Sequence, residues 1–426
     1  MTRRIACAVL LAAAAFLPAI SFAQRPAPGM GGAQHDALRA ALALPDGGWL
    51  LAGQLDRGSE DDPLHGGSAG FVQRHDRMGR LLWRTRFDTA GADSVEALAI
   101  DAQSRIVVAG HTTGSFPGWQ SSGGSDAFVA RLDGAGEPLD LLQFGDARDQ
   151  RPRAIDAFPD GGIAVGGYDD LELAGSAVID WENGFVAVVS EAPAGGLRLA
   201  SWLRSNAPPS DFVLAVAAAQ GGSGDLLLAS TMPASRVLGG GIQIYRVGQD
   251  GSERWGRQLS DHGFDAATRL LTAPDGSVLL AGVTVSPLGG PASGDSDPVL
   301  VALDPASGET RWARRMPLGD GTWVSDLALI NGELVLSGLA DRLPETPQQP
   351  PLSYPFALHF NLKGEPTDAW LGPLLDSAAL RIEVFSLPGG RRGGPRVGFS
   401  ALPASGLPTA GGFDYFALPR RAFGRP

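Results

Sequence analysis

The chain has 426 residues, of which 44% are hydrophobic and 19% are charged, and its formal net charge at pH 7 is −12. The apolar fraction is typical of a globular protein and excludes a largely disordered chain. The net negative charge argues against nucleic acid or anionic lipid as the main partner.

The first 23 residues are predicted to be a secretory signal peptide. Two arginines precede the apolar segment Ile5–Ile20, which leads into Ser21-Phe22-Ala23, a motif with small residues before a cleavage site. Cleavage is expected before Gln24, and the apolar segment is too short for a stable membrane span. Cys7 is the only cysteine, so the exported chain would contain none. We therefore expect a periplasmic or secreted protein.

From residue 35 the chain repeats a unit of about 57 residues, and such self-similarity indicates a repeat architecture. Three positions mark the unit: the residue that ends the second apolar run, the start of the third run, and a glycine in the turn before the fourth. The first marker is Gly53, Gly110, Gly167, Ser230, Gly282, Gly338 and Gly398; the second is Phe71, Phe128, Phe185, Leu300, Phe356 and Phe413; the third is Gly79, Gly136, Gly251, Gly308 and Gly364, with an irregular member near Gly195. Together these markers predict seven copies.

Each unit is predicted to form four short strands. Runs such as Val107-Val108-Ala109 are apolar and bounded by turn residues, which is typical of strands buried on both faces. Pro-Asp-Gly recurs at residues 45–47, 159–161 and 274–276, and this sequence favours a hairpin between two such runs. No stretch after the signal peptide shows sustained 3.6-residue apolar periodicity, so we expect few helices.

Four antiparallel strands repeated around an axis are the blades of a β-propeller. We therefore predict an all-β fold, a single seven-bladed β-propeller of four-stranded repeats over residues 35–423. Residues 24–34 are a flexible leader rich in proline and glycine, and residues 424–426 a short tail. The strands should run from inner to outer along each repeat, with the Val107 run second. A linear β-solenoid is the alternative, although its repeat is usually much shorter.

Several segments resemble known bacterial propeller repeats. Asp126–Asp133, Ala97–Asp101, Val107–Gly110 and Ser115–Pro117 resemble the SBBP-type repeat, and the turns Gly79–Trp83, Gly251–Trp255 and Gly308–Trp312 are similar to quinoprotein-like (PQQ-type) repeats. The resemblance covers residues 35–423. It implies the fold but no particular function, because these repeats occur in proteins without a shared chemistry. The tryptophans of the turns are expected to pack between blades, and not to form a platform for a sugar or a quinone.

Aspartates recur just before the innermost strands. Asp36, Asp93 and Asp265 each lie 17 residues before the marker glycine of their unit, and Asp211 lies 19 residues before Ser230. One interpretation is that each carboxylate accepts backbone N–H bonds within its own turn. The other is that the four aspartates form an acidic mouth of the central channel, which binds a divalent cation or a partner rich in Arg and Lys.

Candidates for a metal site are weak. Asp295 and Asp297 supply oxygen donors for calcium, but they lack the spacing of an EF-hand loop, and a solvated turn is the alternative. No two of the six histidines have metal-ligand spacing. Calcium is thus the one candidate cofactor.

No catalytic residue is predicted, since the chain contains neither a Gly-x-Ser-x-Gly elbow nor a phosphate-binding loop before a helix. We expect a non-catalytic, monomeric binding or scaffolding module of the bacterial envelope or the medium, with a protein or glycan as partner. The alternative is a quinoprotein-like dehydrogenase or another propeller enzyme. That alternative requires a calcium site, a catalytic carboxylate and a planar floor for the cofactor at the channel.

Overall fold

The computed structural model describes residues 36–57, 67–170, 183–204, 212–219, 224–232, 241–261, 265–292, 295–342, 352–372, 375–376, 380–387, 396–401 and 414–419. The predicted signal peptide, leader and tail, and Asp211, lie outside these residues. Within the described part of the chain there is no helix, which confirms the expected low helix content. Accordingly, no helix there is long and apolar enough to cross a membrane.

Six sheets contain four antiparallel strands that follow one another in the chain, and each sheet is one blade. The blades are, in order, β1 Ala37–Ala43, β2 Trp49–Arg57, β3 Gly67–His75, β4 Leu81–Phe87; β5 Asp93–Ile100, β6 Ile106–Thr112, β7 Asp126–Leu132, β8 Pro138–Phe144; β9 Asp149–Ala157, β10 Ile163–Asp170, β11 Asn183–Glu191, β12 Leu197–Arg204; β13 Phe212–Ala218, β14 Leu226–Met232, β15 Gly241–Val247, β16 Glu253–Gln258; β17 Ala266–Thr272, β18 Val278–Thr284, β19 Asp297–Leu303, β20 Thr310–Arg315; and β21 Gly321–Ile330, β22 Glu333–Arg342, β23 Leu352–Phe360, β24 Pro366–Leu371. A short strand, β25 Leu375–Asp376, pairs with β23.

The prediction of seven four-stranded blades is wrong, because the structure has six. Within the described residues, the last predicted copy forms a sheet of three strands, β26 Leu380–Leu387, β27 Arg396–Ala401 and β28 Asp414–Pro419. This copy has the first two sequence markers, Gly398 and Phe413, but Arg421 stands at the position of the turn glycine, eight residues after the second marker. The three-stranded sheet packs against β21 and β22 of the sixth blade and against β1 of the first.

The predicted strand order is confirmed, since the first strands of neighbouring blades contact one another and the fourth strands lie at the sheet edges. The Pro-Asp-Gly turns also lie where expected, between the first and second strands of the first, third and fifth blades. Their glycines, at positions 47, 161 and 276, have φ between 80° and 90°, a conformation that strains other residues.

The hydrophobic cores lie between blades. In β6, Val107 packs toward the third blade, with Val165 and Phe185, whereas Val108 packs toward the first, with Val72. Consecutive residues of a strand point to opposite faces, so a run that is apolar throughout can be buried on both. Full burial of each such side chain contributes about 1.5–3 kcal/mol to stability.

The tryptophans of the outer strands pack between blades, as predicted. Trp83 of β4 lies over Gly136 in the β7–β8 turn of the next blade, and its indole N–H donates to Gly134 O at 3.1 Å. A Cβ atom at Gly136 would lie 2.6 Å from the indole ring, so the turn glycine makes room for the tryptophan. The same packing joins Trp255 to Gly308 and Trp312 to Gly364.

Candidate binding site at the central channel

The inner strands of the six four-stranded blades enclose a cavity of about 300 Å³ at the centre of the ring. Every one of β1, β5, β9, β13, β17 and β21 contributes to its wall. Among the described residues, most of the wall is alanine, leucine, isoleucine and valine, and the charged members are Arg153, Arg269 and Asp326.

Each of these six inner strands contains a β-bulge. The bulge lies opposite the first sequence marker of its repeat, which is a residue of the second strand. The paired residues are Leu38 and Gly53, Val95 and Gly110, Pro152 and Gly167, Val213 and Ser230, Ala267 and Gly282, and Val324 and Gly338. A Cβ atom at Gly110 would lie 2.1 Å from Ser94 O, so glycine lets the two backbones approach. The bulge inserts one extra residue into the inner strand and redirects the side chains beside it.

In the first three blades the extra residue is charged, and these residues form one ion-pair cluster. Glu96 of the second blade lies between Arg39 of the first and Arg153 of the third, with N–O distances of 3.9 and 3.2 Å. The Ser94 hydroxyl also donates to Glu96 Oε1 at 2.6 Å. Burial alone would raise the pKa of Glu96, but the charges of Arg39 and Arg153 and the Ser94 hydrogen bond help to hold it below its ordinary value. Glu96 is therefore an anion that joins three blades.

His111 completes this cluster as a neutral imidazole. Its Nδ1 lies 3.7 Å from Glu96 Oε1, and its Nε2 lies 3.3 Å from Nη1 of Arg151. A guanidinium can only donate, so Nε2 accepts this hydrogen bond and the ring proton is on Nδ1, toward Glu96. Burial lowers the pKa of His111 to about 4, with Glu96 opposing the shift and Arg151, Arg153 and Arg39 adding to it.

A second ion pair joins the fifth and sixth blades, one residue beyond their bulges. Arg269 Nε donates to Asp326 Oδ1 at 3.3 Å. Burial raises the pKa of Asp326 above its ordinary value despite the opposing effect of Arg269. Both side chains line the cavity together with Arg153, so the channel wall has two separate cationic groups.

Three of the four predicted mouth aspartates lie in the described residues, where they stand at the starts of inner strands and are buried. Asp36, Asp93 and Asp265 are each no more than 1% exposed. Asp93 accepts hydrogen bonds from the backbone N–H and the hydroxyl of Thr89, at 2.7 and 2.8 Å. Asp265 accepts bonds from Val285 N, at 2.6 Å, and from the Thr284 hydroxyl, at 3.0 Å. The Asp93 contacts lie within its own turn, as in the turn-anchoring interpretation, whereas Asp265 bonds the end of the second strand of its blade and the loop that follows. Binding of a cation or a basic partner at these residues stays a prediction.

The two calcium candidates differ in their surroundings. Asp297 is fully buried, and its Oδ2 accepts a hydrogen bond from Arg315 Nε at 2.6 Å, whereas Asp295 is exposed and offers its carbonyl oxygen to Arg315 Nη2 at 3.3 Å. In the described part of the chain, no three His, Cys, Asp or Glu residues are grouped as metal ligands. Calcium binding stays a prediction.

Sequence reasoning missed the charged residues of the channel wall. Arg39, Glu96 and Arg153 follow one another at intervals of 57, and Arg269 and Asp326 have the same interval. Charges that recur at the repeat interval, inside strands that are otherwise apolar, are the signal that would have found them.

The fold defines this protein as a β-propeller, and comparison with known proteins adds no narrower family. No family model and no curated protein sequence matches the chain, so the resemblance to SBBP-type and quinoprotein-like repeats is not confirmed. Similar solved structures include a luciferin-regenerating enzyme (11% identity, TM-score 0.39, covering 72% of this chain and 85% of that one) and a glucose dehydrogenase (12%, 0.34, 61% and 82%). Sqt1 from Chaetomium thermophilum is similar as well (14%, 0.44, 87% and 96%). At such low identities nothing about function is transferred.

Proposed function

We propose that the protein is an exported, non-catalytic β-propeller binding module that holds a small ligand in its central channel. The observation that supports this proposal is the cavity of about 300 Å³ at which the inner strands of six blades meet. Ligand sites are typically concave and mostly apolar, with a few polar groups that orient the ligand. The channel has this composition, since alanine and aliphatic side chains surround two ion-paired arginines.

The contacts of the polar cluster support binding over covalent catalysis. A serine nucleophile has to reach its substrate and needs a base that is free to take its proton, but Ser94 is 1% exposed and Glu96 is paired with Arg39 and Arg153. Here the Ser94 hydroxyl donates to Glu96, and the two ring nitrogens of His111 face Glu96 and Arg151. The cluster is thus arranged to hold guanidinium groups in place.

A channel-filling substitution tests the proposal. The exported form is incubated with a panel of small metabolites, and thermal unfolding is followed at increasing concentrations of each. We expect at least one compound to raise the Tm saturably, by mass action, and to be recovered chemically unchanged. In Ala328→Leu the larger side chain occupies the cavity wall, so this response should disappear.

The matched control is Ala135→Leu, which makes the same change in an exposed turn and should respond like the wild type. A ligand response that survives in Ala328→Leu would show that binding occurs outside the channel. Conversion of the compound into a product would show that the protein is an enzyme.

A further inference from the structure

We propose that the ligand of the channel is a small organic monocarboxylate with an apolar body, an inference that rests on the proposed function. The geometry points to this class because the wall presents guanidinium groups to a cavity whose other described side chains are apolar, apart from Asp326 and Thr272. Three features of the wall carry the argument: the exposure of its charges, the orientation of its arginines and the chemistry of its remaining surface.

Among the described charges at the channel wall, the more exposed ones are positive. The side chains of Arg153 and Arg269 are 38% and 26% exposed, whereas those of Glu96 and Asp326 are 6% and 9% exposed. The carboxylates therefore lie behind the guanidinium groups that they bind. A molecule that enters the channel meets the cations first, so an anionic group is favoured there and a cationic one is disfavoured.

The buried acids fix the direction of the guanidinium groups. Arg153 Nη1 lies 3.2 Å from Glu96 Oε2, its Nη2 donates to the Tyr168 hydroxyl at 3.1 Å, and its Cζ lies 5.4 Å from the centre of the Tyr168 ring. An arginine held in this way loses little side-chain entropy when it binds a ligand. A planar guanidinium matches a carboxylate in shape, since two parallel hydrogen bonds can form between them.

The rest of the wall indicates one charge and an apolar body. Around the arginines the cavity is lined by alanines and by aliphatic side chains such as Leu98, Ile155 and Val216. A second charged group of the ligand would be desolvated against this surface, at a cost that an apolar group avoids. Small-molecule pockets measure about 300–1,000 Å³, and this cavity lies at the lower limit, so the ligand is small.

A series of simple probes tests the ligand class. Straight-chain carboxylates from acetate to octanoate are titrated into the wild type by calorimetry, and each is compared with its primary amide and with the alkylamine of equal length. We expect an intermediate chain length to bind best, and the amide and the amine to bind about tenfold more weakly or worse, because they lose the charge-assisted hydrogen bonds. Arg153→Gln and Arg269→Gln should each weaken carboxylate binding by about tenfold or more.

Two further variants keep the test interpretable. Arg153→Lys retains a positive charge beside Glu96, so it should fold if Arg153→Gln does not, and it should bind more weakly than the wild type because the planar fork is lost. Arg86→Gln removes an arginine whose side chain is 50% exposed on an outer strand, and it should bind normally.

The outcomes separate the two proposals. If amides bind as tightly as carboxylates and Ala328→Leu abolishes both, the channel binds ligands but the monocarboxylate class is wrong. If no carboxylate binds, the class is likewise overturned, and the metabolite panel decides separately whether the channel binds anything. If carboxylates bind with the same affinity to both Arg→Gln variants, the assigned site is wrong.

Discussion

At the scale of single residues, Glu96 and His111 show how burial and charge are balanced in the channel wall. Glu96 stays ionised in a buried position because two arginines and a serine hydroxyl offset the cost of its desolvation. For His111, the attraction of Glu96 does not offset the cost of burying a charged imidazole, because the guanidinium groups beside it repel a positive charge on the ring. The imidazole is therefore neutral and accepts a hydrogen bond from Arg151.

This difference makes the stability of the protein depend on pH. Folding lowers the pKa of His111 from 6.5 to about 4, so the unfolded chain binds more protons between these two pH values. The free energy of unfolding should then fall as the pH decreases through that window, by about 3 kcal/mol from this residue, and level off below it. In His111→Gln the side-chain amide still offers Arg151 an acceptor but does not titrate.

Urea unfolding of the wild type and of His111→Gln, measured from pH 7 to pH 4, checks this prediction. We expect the wild type to lose about 3 kcal/mol more stability than His111→Gln between pH 7 and pH 4, because only in the wild type does unfolding bind an additional proton in this range. Parallel curves would show that protonation of His111 does not oppose folding.

The residues of this cluster were visible in the sequence, but their arrangement was not. The spacing of Arg39, Glu96 and Arg153 is regular, and alternation along a strand would have assigned each side chain to one face of its sheet. The bulge breaks this alternation, and a bulge depends on backbone pairing that a single sequence does not show. Conversely, the buried aspartates at the strand starts were found from the sequence, since Asp93 bonds within its own turn and the repeat preserves that position.

At the scale of strands and turns, adjacent blades are joined by repeated contacts with exact steric requirements. The glycine at position 136 has φ of 87° and lies under Trp83. The position therefore requires both a backbone with positive φ and the absence of a side chain. The sequence could predict that the tryptophans pack between blades because Trp83, Trp255 and Trp312 recur at one repeat position. It could not predict the close approach of Gly110 to Ser94 O, because that approach depends on the bulge.

A comparison of Gly136→Ala with Gly276→Ala separates the cost of positive φ from the cost of the steric contact with Trp83. Both positions have positive φ, 87° and 81°, so each alanine should cost about 1 kcal/mol in backbone strain. A Cβ atom at position 276 meets nothing within 4 Å, whereas one at position 136 would lie 2.6 Å from Trp83. Displacing the indole should add about 1–3 kcal/mol.

The free energies of unfolding of the two variants, measured in guanidinium chloride, give the difference directly. Gly136→Ala should be the less stable variant by more than the error of the extrapolation. Equal stabilities would show that Trp83 moves aside at no cost and that the contact between the first two blades is loose.

At the scale of the whole molecule, the six blades share their cores, and the three-stranded sheet lies between the sixth blade and the first. The sequence predicted the all-β architecture and the strand order because repeat period and apolar runs are local signals. It overcounted the complete blades because the markers of inner strands continue into a copy that has three strands within the described residues. The number of strands in the last sheet depends on pairing, which the marker residues do not determine.

The position of the three-stranded sheet predicts that it unfolds together with the blades. Gly398 lies in its central strand and pairs with Phe385 on one side and Ala417 on the other. Proline at this position has no N–H to donate and is poorly tolerated within a sheet. Because β26 packs against both β21 and β1, we expect Gly398→Pro to lower the Tm of the whole protein in one cooperative transition.

The control is Ala102→Pro, which places proline at the turn position that Pro45 and Pro159 occupy in the neighbouring repeats and should leave the Tm unchanged or slightly raised. Scanning calorimetry distinguishes the cases: if the main transition of Gly398→Pro stays at the wild-type temperature while a small one is lost, the three-stranded sheet is an independent appendage and the blades are stable without it.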